Sequence, residues 1–101
     1  MDPFAPRRRR LAPADAETLA IAALSFLAAE PERLARFADA TGHTLATIRA
    51  EASSPHFLAG VLDFLMSDES LLLVFAGHQS ITPLDIAAAR EALAPGAAAW
   101  D

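Results

Sequence analysis

The side chains of this sequence that are best suited to catalysis or metal binding are three histidines and one carboxylate. The carboxylate lies in an apolar segment. His43, His56 and His78 are not four residues apart, the spacing that would place two ligands on one helix face. Asp63 follows His56 by two helical turns, and no nucleophile or oxyanion donor accompanies the pair. We therefore expect Asp63 to lie on a solvent-facing edge. We expect no enzyme activity, no metal and no cofactor.

Residues 34–51 have the spacing of a helix-turn-helix, the motif that places its second helix in the major groove of DNA. Ala38, Gly42 and Ile48 supply the small residue of the first helix, the turn glycine and the branched residue that fixes the second helix. In this interpretation three polar side chains would contact nucleic acid: Thr44, Thr47 and Arg49. The spacing alone does not distinguish a DNA reader from a helical corner.

The distribution of charge weighs against the DNA interpretation. Residues 1–10 carry four arginines against one aspartate, a net charge of +3, whereas residues 11–101 carry four arginines against twelve carboxylates, a net charge of −8. DNA affinity comes largely from neutralised phosphates, and an acidic body repels the duplex. The expected body is therefore a poor DNA reader.

The front of the chain, residues 1–13, is predicted to be a flexible basic arm. It contains four consecutive arginines, Arg7, Arg8, Arg9 and Arg10, among prolines. It is either a solvated tail or an arm that binds RNA, the ribosome, anionic lipid or an acidic partner. Through this arm we expect at most weak, sequence-independent binding of nucleic acid.

Composition favours a helical protein in a reducing compartment. The chain of 101 residues contains 25 alanines and no cysteine. The apolar run 19–29 follows the arginines as in a signal peptide, but Asp15 and Glu17 interrupt that pattern. No uncharged run reaches the ~18 apolar residues of a membrane-spanning helix. We expect a cytoplasmic protein that does not bind membranes.

A gapless internal repeat organises the sequence. Residues 18–52 align with residues 56–90 at an offset of 38, and nine of the 35 positions are identical. The informative identities are two Phe pairs, three Leu pairs and one Ile pair: Phe26/Phe64, Phe37/Phe75, Leu24/Leu62, Leu27/Leu65, Leu34/Leu72 and Ile48/Ile86. Since a helix would bury most of these residues, the repeat predicts two similar folding units.

Each unit is predicted to contain three short helices. In unit one, residues 15–52, we expect helices over 15–29 and 31–41 and a third helix capped by Thr44. In unit two, residues 54–94, we expect helices over 55–67, 68–79 and 83–94, with Asp68 and Thr82 as caps. The predicted fold is all-α, a six-helix bundle over residues 14–94, followed by a tail over 95–101.

The two units differ on their middle helices. Arg33 and Arg36 of unit one correspond to Leu71 and Val74 of unit two, which makes the second of these helices apolar almost all round. Such a helix must bury a second face. Either the two units dock there, or another chain does, a second copy included.

Three segments resemble a family of short helical bacterial proteins catalogued as a domain of unknown function. They are ALSFLAAEPERLARFADATG, LATIRAEASSPHFLAGVLDFLMSDESLLLVFA and ITPLDIAAAREAL. The resemblance implies a small cytoplasmic helical protein and supplies no catalytic or binding residues. We expect a non-enzymatic binding or adaptor module with a protein partner. The alternative is a nucleic-acid-binding regulator that uses residues 34–51 and the arginine arm.

Overall fold

The computed structural model describes residues 13–95, which form six α-helices. They are α1 Pro13–Ala28, α2 Pro31–Thr41, α3 Leu45–Glu51, α4 Pro55–Met66, α5 Glu69–Gln79 and α6 Pro83–Leu93. The predicted all-α fold is confirmed, because these residues contain no strand and pack into one bundle. Arg7, Arg8, Arg9 and Arg10 of the predicted arm lie outside the described residues.

Threonine caps start the third helix of each predicted unit. At α3 the Thr44 hydroxyl accepts a hydrogen bond from the Thr47 backbone N–H at 3.2 Å, and the Thr47 hydroxyl oxygen accepts one from the Thr44 N–H at 2.7 Å. At α6 Thr82 and Asp85 form the same reciprocal box. Each box pairs two backbone donors that the first turn of a helix leaves free.

The middle helices α2 and α5 both end on a residue in the left-handed conformation. Gly42 has φ 75° at the end of α2, and Ser80 has φ 56° at the end of α5. The strain of this conformation is small for glycine and larger for serine, which carries a Cβ. Gly42 and Ser80 are equivalent positions of the repeat, as are the caps Thr44 and Thr82. That the two units superpose as wholes stays a prediction.

The centre of the bundle is formed by α1, α4 and α6, which pack against one another. The buried side of α1 consists of small residues and one leucine: Ala16, Ala20, Ala23 and Leu27. Small side chains at this spacing let the neighbouring helices approach closely. Residues 19–28 of the segment that imitates a signal peptide are therefore part of a core helix.

Aromatic rings attach α2 to this centre, and one residue attaches α3. The buried Phe37 ring of α2 lies edge-to-face with Phe57 at 5.8 Å and with Phe64 at 5.4 Å between centroids. Such pairs contribute about 0.5–1.5 kcal/mol beyond the burial of area. In α3 only Ile48 is buried. The third helix of unit one is thus held mainly by a single side chain and its cap.

The expectation that Asp63 faces solvent is wrong, because α6 covers that side of α4. Asp63 is 6% exposed and Arg90 of α6 is 8% exposed. Arg90 Nε donates to Asp63 Oδ1 at 3.0 Å, and Arg90 Nη1 donates to the Ala94 carbonyl oxygen at 2.9 Å. Arg90 Nη2 is buried without a hydrogen-bond acceptor among the described residues. The pair connects α6 to α4 inside the bundle.

We predict that Asp63→Ala will lower the free energy of unfolding by about 3–5 kcal/mol, because it leaves the Arg90 charge buried beside an apolar residue. The double variant Asp63→Leu with Arg90→Met should lose much less, since it removes both charges. Urea unfolding followed by circular dichroism measures both values. Glu91→Ala is the control: this exposed carboxylate lies 3.8 Å from Arg90 Nη1 and should contribute below about 1 kcal/mol. Equal losses in the single and double variants would contradict the prediction.

Candidate functional site

The exposed side of α5 carries two large apolar residues. Leu73 is 54% exposed and Val74 is 42% exposed. The remaining large apolar residues that are exposed in the described part of the chain lie one to a helix: Ile21, Leu45 and Leu84. Positions three and four apart share one helix face. Four residues at that spacing form what we call the α5 surface: Ser70, Leu73, Val74 and Gly77.

Leu71 and Val74, which the sequence analysis singled out together, have different environments. Leu71 is 8% exposed and belongs to the core, whereas Val74 points away from it. The helix α5 packs mainly on α4 and α6, and the central contacts between the units are those of α1 with α4 and α6. Leu71 therefore helps to bury α5 within the bundle, and Val74 belongs to the α5 surface.

A cluster of aromatic and basic side chains borders the α5 surface, where α1, α2 and α5 meet. The ring centroid of Phe26 lies 5.4 Å from that of Phe75 and 5.8 Å from that of His78, which it meets edge-to-face. The guanidinium carbon of Arg33 lies 4.4 Å from the Phe26 centroid, a cation–π contact. We call Phe26, Arg33 and His78 the Phe26 corner.

An ion pair links α2 to the start of α5. Arg36 Nη2 lies 2.7 Å from Asp68 Oδ2, and Asp68 Oδ1 accepts a hydrogen bond from the Leu71 backbone N–H at 3.2 Å. The Leu71 N–H, and then the Arg36 side chain, hold the pKa of the Asp68 carboxyl below its ordinary value. Arg33 and Arg36, the unit-one counterparts of Leu71 and Val74, thus both contact residues beyond their own helix.

Of the side chains proposed for DNA contact, Thr44 and Thr47 lie at the start of α3 and Arg49 lies in its last turn. Thr44, Thr47 and Arg49 are all exposed. However, the two threonine hydroxyls already bond within the cap: Thr47 Oγ1 also donates to the Thr44 carbonyl oxygen at 2.9 Å. Base contacts by these hydroxyls would compete with the cap, which leaves Arg49 as the uncommitted member of the set.

The histidines lie in separate places. His43 contacts the rings of Phe37 and Phe57, with centroids at 6.4 Å and 5.1 Å, and His56 is exposed in the first turn of α4. Among residues 13–95, no three His, Cys, Asp or Glu side chains are grouped closely enough to hold a metal ion.

No single helix among residues 13–95 is long and apolar enough to cross a membrane. Only α5 and α6 together, across a bend of 95°, meet that test by length and composition.

One family model matches most of the chain. The family described as Protein of unknown function (DUF3572) matches residues 13–96, a range that contains all six helices. The chain belongs to this family. The predicted resemblance is thereby confirmed, and it carries no activity or ligand with it. No curated protein and no solved structure matches the chain.

Sequence reasoning missed two features of this site. The sequence-based prediction placed Val74 with Leu71 on one face of α5. The exposed face could have been recognised from the helical spacing of Ser70, Leu73, Val74 and Gly77. The prediction also gave no indication of the Phe26 corner, whose three residues come from three helices. A contact of this kind depends on how the helices pack and leaves no local pattern.

We predict opposite outcomes for two arginine substitutions three residues apart. Leu71→Arg should lower the free energy of unfolding by about 3 kcal/mol or more, because it forces an unpaired charge into the core. Val74→Arg should change it by no more than about 0.5 kcal/mol, since the side chain is exposed. Thermal melts and urea unfolding compare the two variants. Similar losses in both would mean that Val74 is also buried in solution.

We predict an acid-dependent contribution of Asp68 to stability. The unfolded carboxyl takes up a proton near about pH 4, and the folded one does so at lower pH. The contribution is therefore complete above about pH 4 and is lost as the pH falls through the folded pKa. Melting temperatures of the parent and Asp68→Asn, compared from pH 7 to pH 2, should converge at the acid end, because asparagine keeps the cap and cannot titrate. A constant difference across that range would refute the prediction.

Proposed function

We propose that this protein is a non-enzymatic binding module that contacts a protein partner through the α5 surface. The observation that carries the proposal is the exposure of two neighbouring large apolar side chains, Leu73 and Val74, on one helix face. Complete burial of an exposed side chain of this size contributes about 1.5–3 kcal/mol, and covering the half that is still exposed here would contribute about half of that. Contiguous exposed apolar area is the feature that marks interaction sites.

The attachment of α5 to the bundle supports the proposal. Leu71, Phe75 and Ala76 hold the opposite side of the helix in the core, and the Arg36–Asp68 pair holds its first turn. A helix that is already formed and fixed loses little conformational entropy when a partner covers it. The expected mode is recognition of one helix face by a groove or a second helix.

A cytoplasmic setting is part of the proposal. The chain contains no cysteine, so nothing in its stability depends on an oxidising compartment. The net charge of −5 suits a partner surface that is apolar or basic over most of its area. Both points restrict the partner without naming it.

Nucleic-acid binding is the second proposal. It is supported by the turn between α2 and α3, in which Gly42 takes the left-handed conformation that a helix-turn-helix can use. It is opposed by the commitment of Thr44 and Thr47 to the cap and by the acidic body. We rank it below protein binding for these reasons, with the arginine arm as its main source of affinity.

We predict that Leu73→Glu will abolish specific capture of a partner and leave the fold intact. The substitution places a charge in the centre of the proposed interface, whereas the side chain is outside the core. Leu84→Glu is the matched control, because Leu84 is 80% exposed on α6. Chemical crosslinking in extracts of the source cell, quantified by mass spectrometry, compares the parent and both variants. Partners retained by Leu73→Glu but lost by Leu84→Glu would move the interface away from α5.

A further inference from the structure

Only some of the arginines among the described residues form ion pairs with carboxylates. Residues 13–95 contain four arginines and eleven carboxylates. Arg90 is paired with Asp63 in the core, and Arg36 is paired with Asp68. Arg33 and Arg49 make no ion pair within residues 13–95, although carboxylates outnumber arginines there. Arg33 is also the arginine of the Phe26 corner, beside the α5 surface.

Arg33 and His78 approach the same aromatic ring. The Phe26 centroid lies 4.4 Å from the Arg33 guanidinium carbon and 5.8 Å from the His78 centroid. A ring contact leaves the guanidinium N–H groups able to donate to an oxygen acceptor. His78 follows Val74 by four residues, so the imidazole lies one turn further along the exposed side of α5. Nitrogen donors and apolar side chains therefore adjoin each other at this edge.

We propose that Arg33 and His78 form a carboxylate-binding site at the edge of the α5 surface. The partner segment would carry an aspartate or glutamate within about one helical turn of the apolar side chain that covers Leu73 and Val74. Hydrogen bonds from an arginine to a carboxylate are charge-assisted and directional, so they would set the orientation of the segment on α5. This inference rests on the proposed function, because it names the chemistry of the partner at the same surface.

A second copy that pairs through its own α5 does not place a carboxylate beside His78. Glu69 is the carboxylate nearest the α5 surface in sequence, but it is nine residues from His78, which is two and a half turns. The two residues therefore lie on opposite flanks of α5. An antiparallel pair of α5 helices brings like flanks together, and a parallel pair leaves Glu69 about 13 Å along the axis from His78 of the other copy. We therefore assign the site to a segment of another protein.

The test is selection of random peptides displayed on phage against the immobilised full-length chain. We expect enriched peptides to carry a carboxylate three or four residues from a large apolar side chain. Peptides selected on Arg33→Gln should keep the large apolar residue but lack the enriched carboxylate. Selection on Leu73→Glu should enrich none of these peptides. Arg49→Gln is the matched control: it removes the same charge from α3 and should select the same peptides as the parent.

Affinity measurements then determine how much the peptide carboxylate contributes to binding. An enriched peptide that contains glutamate should bind the parent protein about five-fold more tightly than the same peptide in which glutamine replaces that glutamate. That difference should disappear on Arg33→Gln, shrink on His78→Ala and persist on Arg49→Gln. Circular dichroism melts of the four proteins show that each is folded. Equal affinity of the two peptides for the parent, or an unchanged difference on Arg33→Gln, would overturn the proposed site.

The outcomes separate this inference from the proposed function. Enriched peptides that need Leu73 but carry no carboxylate refute the carboxylate site and leave the α5 surface as a binding site. The absence of any Leu73-dependent peptide refutes both. Sedimentation velocity completes the test. A dimer of the parent that Leu73→Glu dissociates would show that a second copy covers α5, and it would overturn the assignment to another protein.

Discussion

The helix α4 is apolar around most of its circumference, and the other helices are arranged so as to cover it. Seven of its twelve residues are buried, Asp63 among them. The alanine face of α1 approaches α4 closely, α6 covers another side, and α2 attaches through the Phe37 ring. The other two helices, α3 and α5, pack in the space that remains around these four.

The buried ion pair follows from the same constraint. Once α6 covers the side of α4 that carries Asp63, the carboxylate must have a partner, and Arg90 supplies it at 3.0 Å. Such a pair adds little net stability over apolar residues of the same size, but it disfavours other placements of α6, in which the two charges would be buried apart. The pair therefore contributes more to the choice of one arrangement than to its free energy of unfolding.

The outer position of α5 connects the fold with the proposed function. This helix is apolar on two sides, but only the side with Leu71, Phe75 and Ala76 reaches the core. The other side stays at the surface, next to an arginine whose charge is not neutralised by any residue from 13 to 95. Under the proposed function, apolar side chains beside nitrogen donors that make no ion pair within residues 13–95 would bind a protein segment rather than the phosphates of a duplex, which an acidic body repels.

The helices and their ends follow from the local sequence. Proline, threonine and aspartate caps act through neighbouring backbone groups, and for this reason the predicted helix bounds agree with the structure to within two residues. The family was also recognisable from the sequence. Tertiary structure alone decided which side of each helix is covered. Asp63 was expected in solvent and is buried, and Leu71 and Val74 were grouped and are separated. The Phe26 corner joins residues of three helices. Burial depends on where a distant helix packs, and the periodicity of one helix carries no information about that placement.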